Sequence, residues 1–261
     1  MNFLHITYKN FVENVDKRLT SWLLVNSLSM VPMILGIYII LLLGGMKYMK
    51  NKKAYSLKTF IYCYNIFQII ANSIIIYIYI DGGWYRDIFI YCVPFTYSTD
   101  PASMKIASGM WWTLILKIID LIETEIFVLR KKNNQITFLH VYHHISTVLL
   151  IWLGVRYFAG GMACFLPLVN CSIHVVMYTY YFLSSLGPKM QKLILPYKPI
   201  LTITQMVQFV VLLLHLIQAF LPSCNVPKLP VFVTFLDIII NFLLFYNFYQ
   251  KNYKNPKVKS K

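Results

Sequence analysis

The sequence predicts an all-α membrane protein with about seven transmembrane helices, and two observations carry that prediction. Of 261 residues, 58% are hydrophobic and only 13% charged, about half the charged fraction of an average soluble domain and more apolar surface than one water-soluble core can hide. The apolar residues also fall into runs of the length that a bilayer-crossing helix needs, about 20 residues. Seven such runs occur, at about 22–45, 57–80, 106–129, 135–154, 162–186, 199–221 and 229–250. The links between them are short and no internal repeat is evident. Residues 22–250 therefore read as one domain, between an N-terminal segment (1–21) and a basic tail (251–261).

Each run has its own justification. The first follows Glu13, Asp16, Lys17 and Arg18 and is too long for a signal-peptide core of about 7–15 residues. Pro32 in the first run and Pro167 in the fifth do not break the reading, because in lipid the backbone must satisfy itself as helix. The net charge of +15 does not point to nucleic acid, because most basic residues cluster between runs. Lys47, Lys50, Lys52, Lys53 and Lys58 follow the first run, and Arg130, Lys131 and Lys132 follow the third. Lys189, Lys192 and Lys198 follow the fifth, and Lys251, Lys254, Lys257, Lys259 and Lys261 follow the seventh. Positive-inside then puts the N-terminus in the lumen and the C-terminus in the cytosol. The ending Lys257-Val258-Lys259-Ser260-Lys261 resembles a dilysine retrieval signal for the endoplasmic reticulum, a receptor-read address rather than an anchor. The five cysteines are scattered and form no CxxC pair, so neither a disulfide framework nor a thiolate zinc site is indicated.

Polar groups inside the runs point to a site, because ionisable residues in a membrane are costly. The third run holds Lys117, Asp120, Glu123 and Glu125, and the fourth His140, His143 and His144. The fifth holds Asn170, His174, Tyr178 and Tyr181, the sixth Gln205, Gln208 and His215, and the seventh Asp237 and Asn241. His140, His143 and His144, at i, i+3 and i+4, share one helix side, and Asn170, His174, Tyr178 and Tyr181 form one stripe. By helix rise, the three histidines lie roughly 7–14 Å below the basic end of their helix. His215 alone on an apolar stretch reads as a packing residue, and Asp237 as the partner of another buried group.

Two chemistries use His-x-x-His-His. Imidazoles can ligate metal, as in di-iron desaturases and hydroxylases, but those sites need about eight histidines and this chain has six. Four grouped imidazoles still suffice for one zinc ion. Alternatively, a desolvated, neutral imidazole serves as nucleophile or general base. A basic rim above the histidines suits a phosphate-bearing substrate, and an apolar tunnel below suits an alkyl chain. An acyl-CoA has both.

The motifs carry a resemblance. Lys117–Thr124, with Leu129–Lys132, resembles the ELO family of very-long-chain fatty acid elongases. Gln135–His144 is similar to that family's histidine box, and Asn170–Tyr181, Thr204–Phe209 and Leu244–Tyr249 follow in the expected order. One departure stands out: the family's Glu and Asp before the Thr are exchanged here, as Asp120 and Glu123. Their other reading is partnership with Lys117.

The resemblance implies a fold in which six of seven helices enclose an acyl-CoA tunnel, in the endoplasmic reticulum membrane. It implies a 3-ketoacyl-CoA synthase that condenses long-chain acyl-CoA with malonyl-CoA, releasing CO2 and CoA, with no cofactor and no metal. On that reading His143 forms an acyl-imidazole, with His140 and His144 beside it, and His174 protonates the leaving thiolate or orients malonyl-CoA. Asn170, Tyr178 and Gln205 hydrogen-bond the thioester or enolate; Lys117, Asp120 and Glu123 form a charge layer. Arg130, Lys131, Lys132, Lys189 and Lys192 hold CoA phosphates. The expected partners are ketoacyl-CoA reductase, dehydratase and enoyl reductase, membrane lipid, and a second copy of the chain as a homodimer. The competing functions are a metal-dependent lipid hydroxylase or desaturase, and a transporter using the same polar layer, for which paired repeats are lacking.

Overall fold

A computed structural model describes residues 15–83 and 91–254. Among them there is no strand, and the helices are α1 (Met30–Met49), α2 (Lys58–Asp81), α3 (Pro101–Asp120), α4 (Ile122–Leu129), α5 (Phe138–Tyr157), α6 (Phe165–Ser185), α7 (Pro188–Ile194), α8 (Lys198–Ile217) and α9 (Lys228–Tyr249). Six of the described helices are long and apolar enough to cross a membrane. The seventh expected span is the tandem α3–α4, which carries the charges. Its ladder tightens at Leu121, where Leu121 N–H bonds Ile118 O and Thr124 N–H bonds Leu121 O, each at 3.2 Å. The most polar stretch of the bundle therefore coincides with a local change of helical pitch.

Local sequence explains where the site-bearing helices begin. Asp100 caps α3, its Oδ1 accepting from Ala102 and Ser103 N–H at 3.0 Å, with Pro101 in the first turn. Hydrogen bonds from Ser98 and Ser103 hold the Asp100 carboxyl well below the usual carboxylate range. Thr137 caps α5, its Oγ1 accepting from His140 N–H at 3.2 Å, which sets the three histidines in the first two turns. Helix α2 packs along α6 and α3, and α8 along α9 and α6. Close approach of α2 and α3 requires Gly109, since a Cβ there would meet the Tyr79 ring at 3.1 Å.

Loops define two ends. At the basic end, Lys131 Nζ donates to Lys50 O (3.1 Å) and Lys52 O (2.8 Å), and Tyr55 N–H to Leu129 O. At the opposite end, Met162 N–H bonds Val93 O at 2.9 Å beside Gly161, whose φ of +51° and close contact with Pro94 O leave no room for a side chain.

Two expectations are corrected at this opposite end. Cys92 and Cys224, in different loops and 132 residues apart, form a disulfide; lacking a local pairing pattern, they could not be matched from spacing. The first span begins at Met30 rather than residue 22. Residues 23–25 are instead held by side chains of other helices: Trp111 Nε1 donates to Leu23 O and Trp152 Nε1 to Leu24 O, both at 2.9 Å, and the buried Arg156 guanidinium donates to Val25 O. Captured this way, the carbonyls are not available to a helix, and Leu24 adopts a positive φ. The Arg18–Asp16 ion pair (2.7 Å) and Arg18 Nη2 to Ala159 O (2.9 Å) fasten the same segment. Residues 1–14 and the retrieval-like tail, 257–261, lie outside the described residues.

Candidate active site

The polar faces of α3–α4, α5 and α6 converge as their spacing predicts. Lys117 Nζ lies 3.0 Å from Asp120 Oδ2 and 3.1 Å from His174 Nδ1; Asp120 Oδ1 accepts from Gln68 Nε2 (2.7 Å) and Tyr178 OH (3.3 Å). All five side chains are buried. The Lys–Asp pair thus balances charge in a low-dielectric layer, with further hydrogen bonds of the kind such a pair needs. Glu123 Oε2 lies 3.9 Å from His144 Nε2. Thr124 Oγ1 hydrogen-bonds His140 Nε2 at 2.8 Å and Tyr38 OH at 3.0 Å. The exchanged acids consequently face different partners: Asp120 the lysine and His174, Glu123 the histidine box.

The convergence walls two adjoining compartments. One, with about 1470 Å³ of empty space, opens toward the basic end and is lined by Asp120, Glu123, His140, His144, His174, Tyr178 and Gln205. The other, with about 1050 Å³, runs toward the disulfide end, between apolar residues such as Met110, Ile151, Phe158, Leu212 and Leu216. Lys117, His143, Thr147, Asn170, Gln208 and Phe209 line both. Of the three box histidines only His143 stands at this junction. Its ring packs edge-on against His144 and Phe245, at 5.9 and 6.0 Å between centroids.

The basic residues divide. Lys198 lines the polar compartment, with Asn134, Asn252 and Tyr253 at its mouth. Arg130, Lys131, Lys132, Lys189 and Lys192 are outside that lining, and Lys131 is committed to two carbonyls of the α1–α2 loop. Sequence reasoning missed the contribution of α2. Gln68 holds Asp120 and accepts support from Asn72, whose Nδ2 donates to Gln68 O at 2.8 Å, while Gln68 Nε2 also reaches Tyr64 OH at 3.0 Å. Asn65, Gln68 and Asn72 recur at helical spacing in an otherwise apolar run, which is the signal that could have found them.

A ligand atom from each of Glu123, His140 and His144 lies within 4.8 Å of the others, the donor types of a zinc site. His140 Nε2 is already engaged by Thr124, so the trio has a structural occupation of its own. Cys171, the thiol nearest the site in sequence, is fully buried and lines neither compartment.

Fold and site together define a multi-span helical membrane enzyme whose buried histidine layer joins a polar compartment to an apolar one. Residues 23–261 match the ELO family (GNS1/SUR4 family), and the chain belongs to that family; it is an enzyme of the acyltransferase class. It is similar to very long chain fatty acid elongase 1 of Mus musculus, 36% identical over 254 residues, covering 96% of this chain and 90% of the relative. To very long chain fatty acid elongase 7 of Rattus norvegicus it is 38% identical over 253 residues, 94% of this chain and 88% of the relative. To very long chain fatty acid elongase 4 of Homo sapiens it is 35% identical over 242 residues, covering 93% and 77%.

Proposed function

We propose that this protein elongates long-chain fatty acids by condensing acyl-CoA with malonyl-CoA, with His143 as the group that carries the acyl chain. The observation that supports this most directly is the position of His143 between the two compartments. An acyl chain lying in the apolar side brings its thioester carbonyl to this ring, while the CoA moiety occupies the polar side. His143 nitrogen attacks the carbonyl, the C–S bond breaks, and CoA leaves as thiolate, taking a proton from the His174–Lys117 pair. Malonyl-CoA then occupies the polar side and loses CO2. The resulting enolate attacks the acyl-imidazole, forming the new C–C bond and expelling the imidazole. Asn170, Tyr178 and Gln205 supply hydrogen bonds to the oxygen on which charge develops. Asp120 and Glu123 keep Lys117 and the histidine box oriented, and Lys198 together with the loop arginine and lysines attracts the CoA phosphates.

On this reading the 3-ketoacyl-CoA passes to a ketoacyl-CoA reductase, a dehydratase and an enoyl reductase. The setting we infer is the endoplasmic reticulum membrane, with the basic end cytosolic and the N-terminus lumenal. The Cys92–Cys224 disulfide supports that orientation independently of the charges, because disulfides persist in oxidising compartments such as the reticulum lumen.

The test is purified protein supplied with malonyl-CoA labelled at C2 and a ladder of acyl-CoAs. Labelled 3-ketoacyl-CoA is expected, together with release of one CoA per active site before malonyl-CoA is added and an acyl adduct on His143. An adduct on Cys171, or full turnover in His143→Ala, overturns the assignment. Activity that tracks one bound metal ion per chain, and is lost on chelation, would instead select a metal reading, with Glu123, His140 and His144 as the donors.

A further inference from the structure

The far end of the apolar compartment is lined by residues from distant parts of the chain. Phe95, Phe158 and Met162 form one side, and Leu216, Pro230 and Val231 the other. Phe158 follows His143 by about four helical turns of α5, which puts this end about 22 Å from the histidine. Phe95 belongs to the segment that precedes α3, and the α8–α9 loop connects Leu216 to Pro230. The Cys92–Cys224 disulfide joins that segment to that loop, so one covalent bond ties the two sides of the far end together.

The polar ties of the Cys92 segment all run to its own side. Val93 O accepts from Met162 N–H at 2.9 Å, Tyr97 OH donates to Tyr157 O at 2.9 Å, and Arg18 Nη1 donates to Ser98 O at 3.0 Å. The Cys224 loop is gathered on itself, with Lys228 Nζ donating to Ala219 O and Cys224 O, each at 2.6 Å. Among the described residues no hydrogen bond joins residues 92–99 to residues 218–230. Residues 92–99 form neither helix nor strand, so apart from apolar contact the S–S bond alone fixes their distance from the loop. The bond also reaches the lining directly, because Cys92 Sγ lies 4.0 Å from Met162 Sδ.

We propose that the Cys92–Cys224 disulfide is a chain-length determinant: it holds the two sides of the far end together, and opening it shifts the enzyme toward longer acyl-CoAs. The inference rests on the elongation reading given above. The disulfide touches no reacting atom and acts by positioning Met162 and Phe95, which meet the end of the acyl chain. A dithiol opens it by exchange: one thiolate attacks a cysteine sulfur, the S–S bond breaks, and the second thiol resolves the mixed disulfide. Two electrons pass to the protein, both cysteines end as thiols, and the dithiol is oxidised to its own disulfide. The two sides then part, while the histidine layer about 22 Å away keeps its own hydrogen bonds.

The experiment supplies a ladder of saturated acyl-CoAs in one mixture with C2-labelled malonyl-CoA and reads the length distribution of labelled 3-ketoacyl-CoA. Three proteins are compared: the oxidised chain, the same chain treated with dithiothreitol and freed of reagent without air, and Cys92→Ser with Cys224→Ser. The ratio read is product from the first length beyond the oxidised enzyme's range over product from its best length, which is internal to each preparation. Extra methylenes admitted to an apolar pocket are worth at least about tenfold, and the ratio is expected to rise by that factor in the reduced chain and in the double variant. An unchanged ratio in both overturns the proposal. Turnover lost equally at every length also overturns it, because the bond then holds only the fold. A further shift when dithiothreitol is applied to the double variant overturns it too, by assigning the effect to another thiol. Absence of condensation at every length in the oxidised chain would count against the elongation reading itself, so failures of the two ideas are told apart.

Discussion

The two compartments that meet at His143 are stabilised in opposite ways. On the basic side the central charged groups are matched inside the bundle: Lys117 with Asp120 and His174, Asp120 with Gln68 and Tyr178, His140 with Thr124. On the other side the walls are mostly apolar, and the structure is secured from outside by the Cys92–Cys224 disulfide and by side chains that capture the carbonyls of residues 23–25. The difference teaches that a membrane interior tolerates charge where hydrogen bonds are shared among several helices. A mostly apolar hollow offers few such bonds, and its outer end is braced by covalent and backbone contacts instead.

The comparison can be broken at its centre first. His143→Ala is expected to lower condensation at least about 100-fold, read as labelled product per folded protein, with the thermal transition in detergent little changed. On the polar side, Asp120→Ala leaves Lys117 buried and unpaired, and is expected to cost about 3–5 kcal/mol of stability. Lys117→Met with Asp120→Leu removes both charges and should recover much of that loss, measured by unfolding of the three proteins side by side. On the braced side, Cys92→Ser or Cys224→Ser is expected to cost about 2–4 kcal/mol, and reduction of the unaltered protein should lower its transition while leaving either serine variant unmoved. The smallest effect lies at the far end of the apolar compartment, where Phe158 packs on Phe95 at 5.0 Å between centroids. Phe158→Ala deepens the hollow, and product analysis should move toward longer chains by one elongation step with overall turnover largely retained.

How much of this was legible in the sequence follows the same division. The spans, their number and the histidine, lysine and carboxylate layer could be read because ionisable groups in apolar runs stand out, and helical spacing assigns them to faces. The support from Gln68 and Asn72 was harder to see, since neutral amides in a run such as Lys58–Asp81 resemble tolerated exceptions until their partner on α3 is known. The braced end was least legible. Whether Trp22 to Leu28 becomes helix is decided by Trp111, Trp152 and Arg156, donors more than 80 residues away, and no local pattern encodes that capture. The pairing of Cys92 with Cys224 is equally non-local. Lys198, although one of a cluster, is singled out only by the packing of α8 that puts it at the mouth.

The capture of Leu23, Leu24 and Val25 also sets an order of assembly. These residues are made before any of the helices that hold them, and Trp152 and Arg156 become available only when α5 is complete. The disulfide waits longer still, for Cys224 beyond α8. During biogenesis these carbonyls therefore lack two of their three side-chain donors until α5 has been made. A chain truncated before Cys224 lacks the disulfide, and one truncated before α9 keeps that brace but lacks one wall of both compartments.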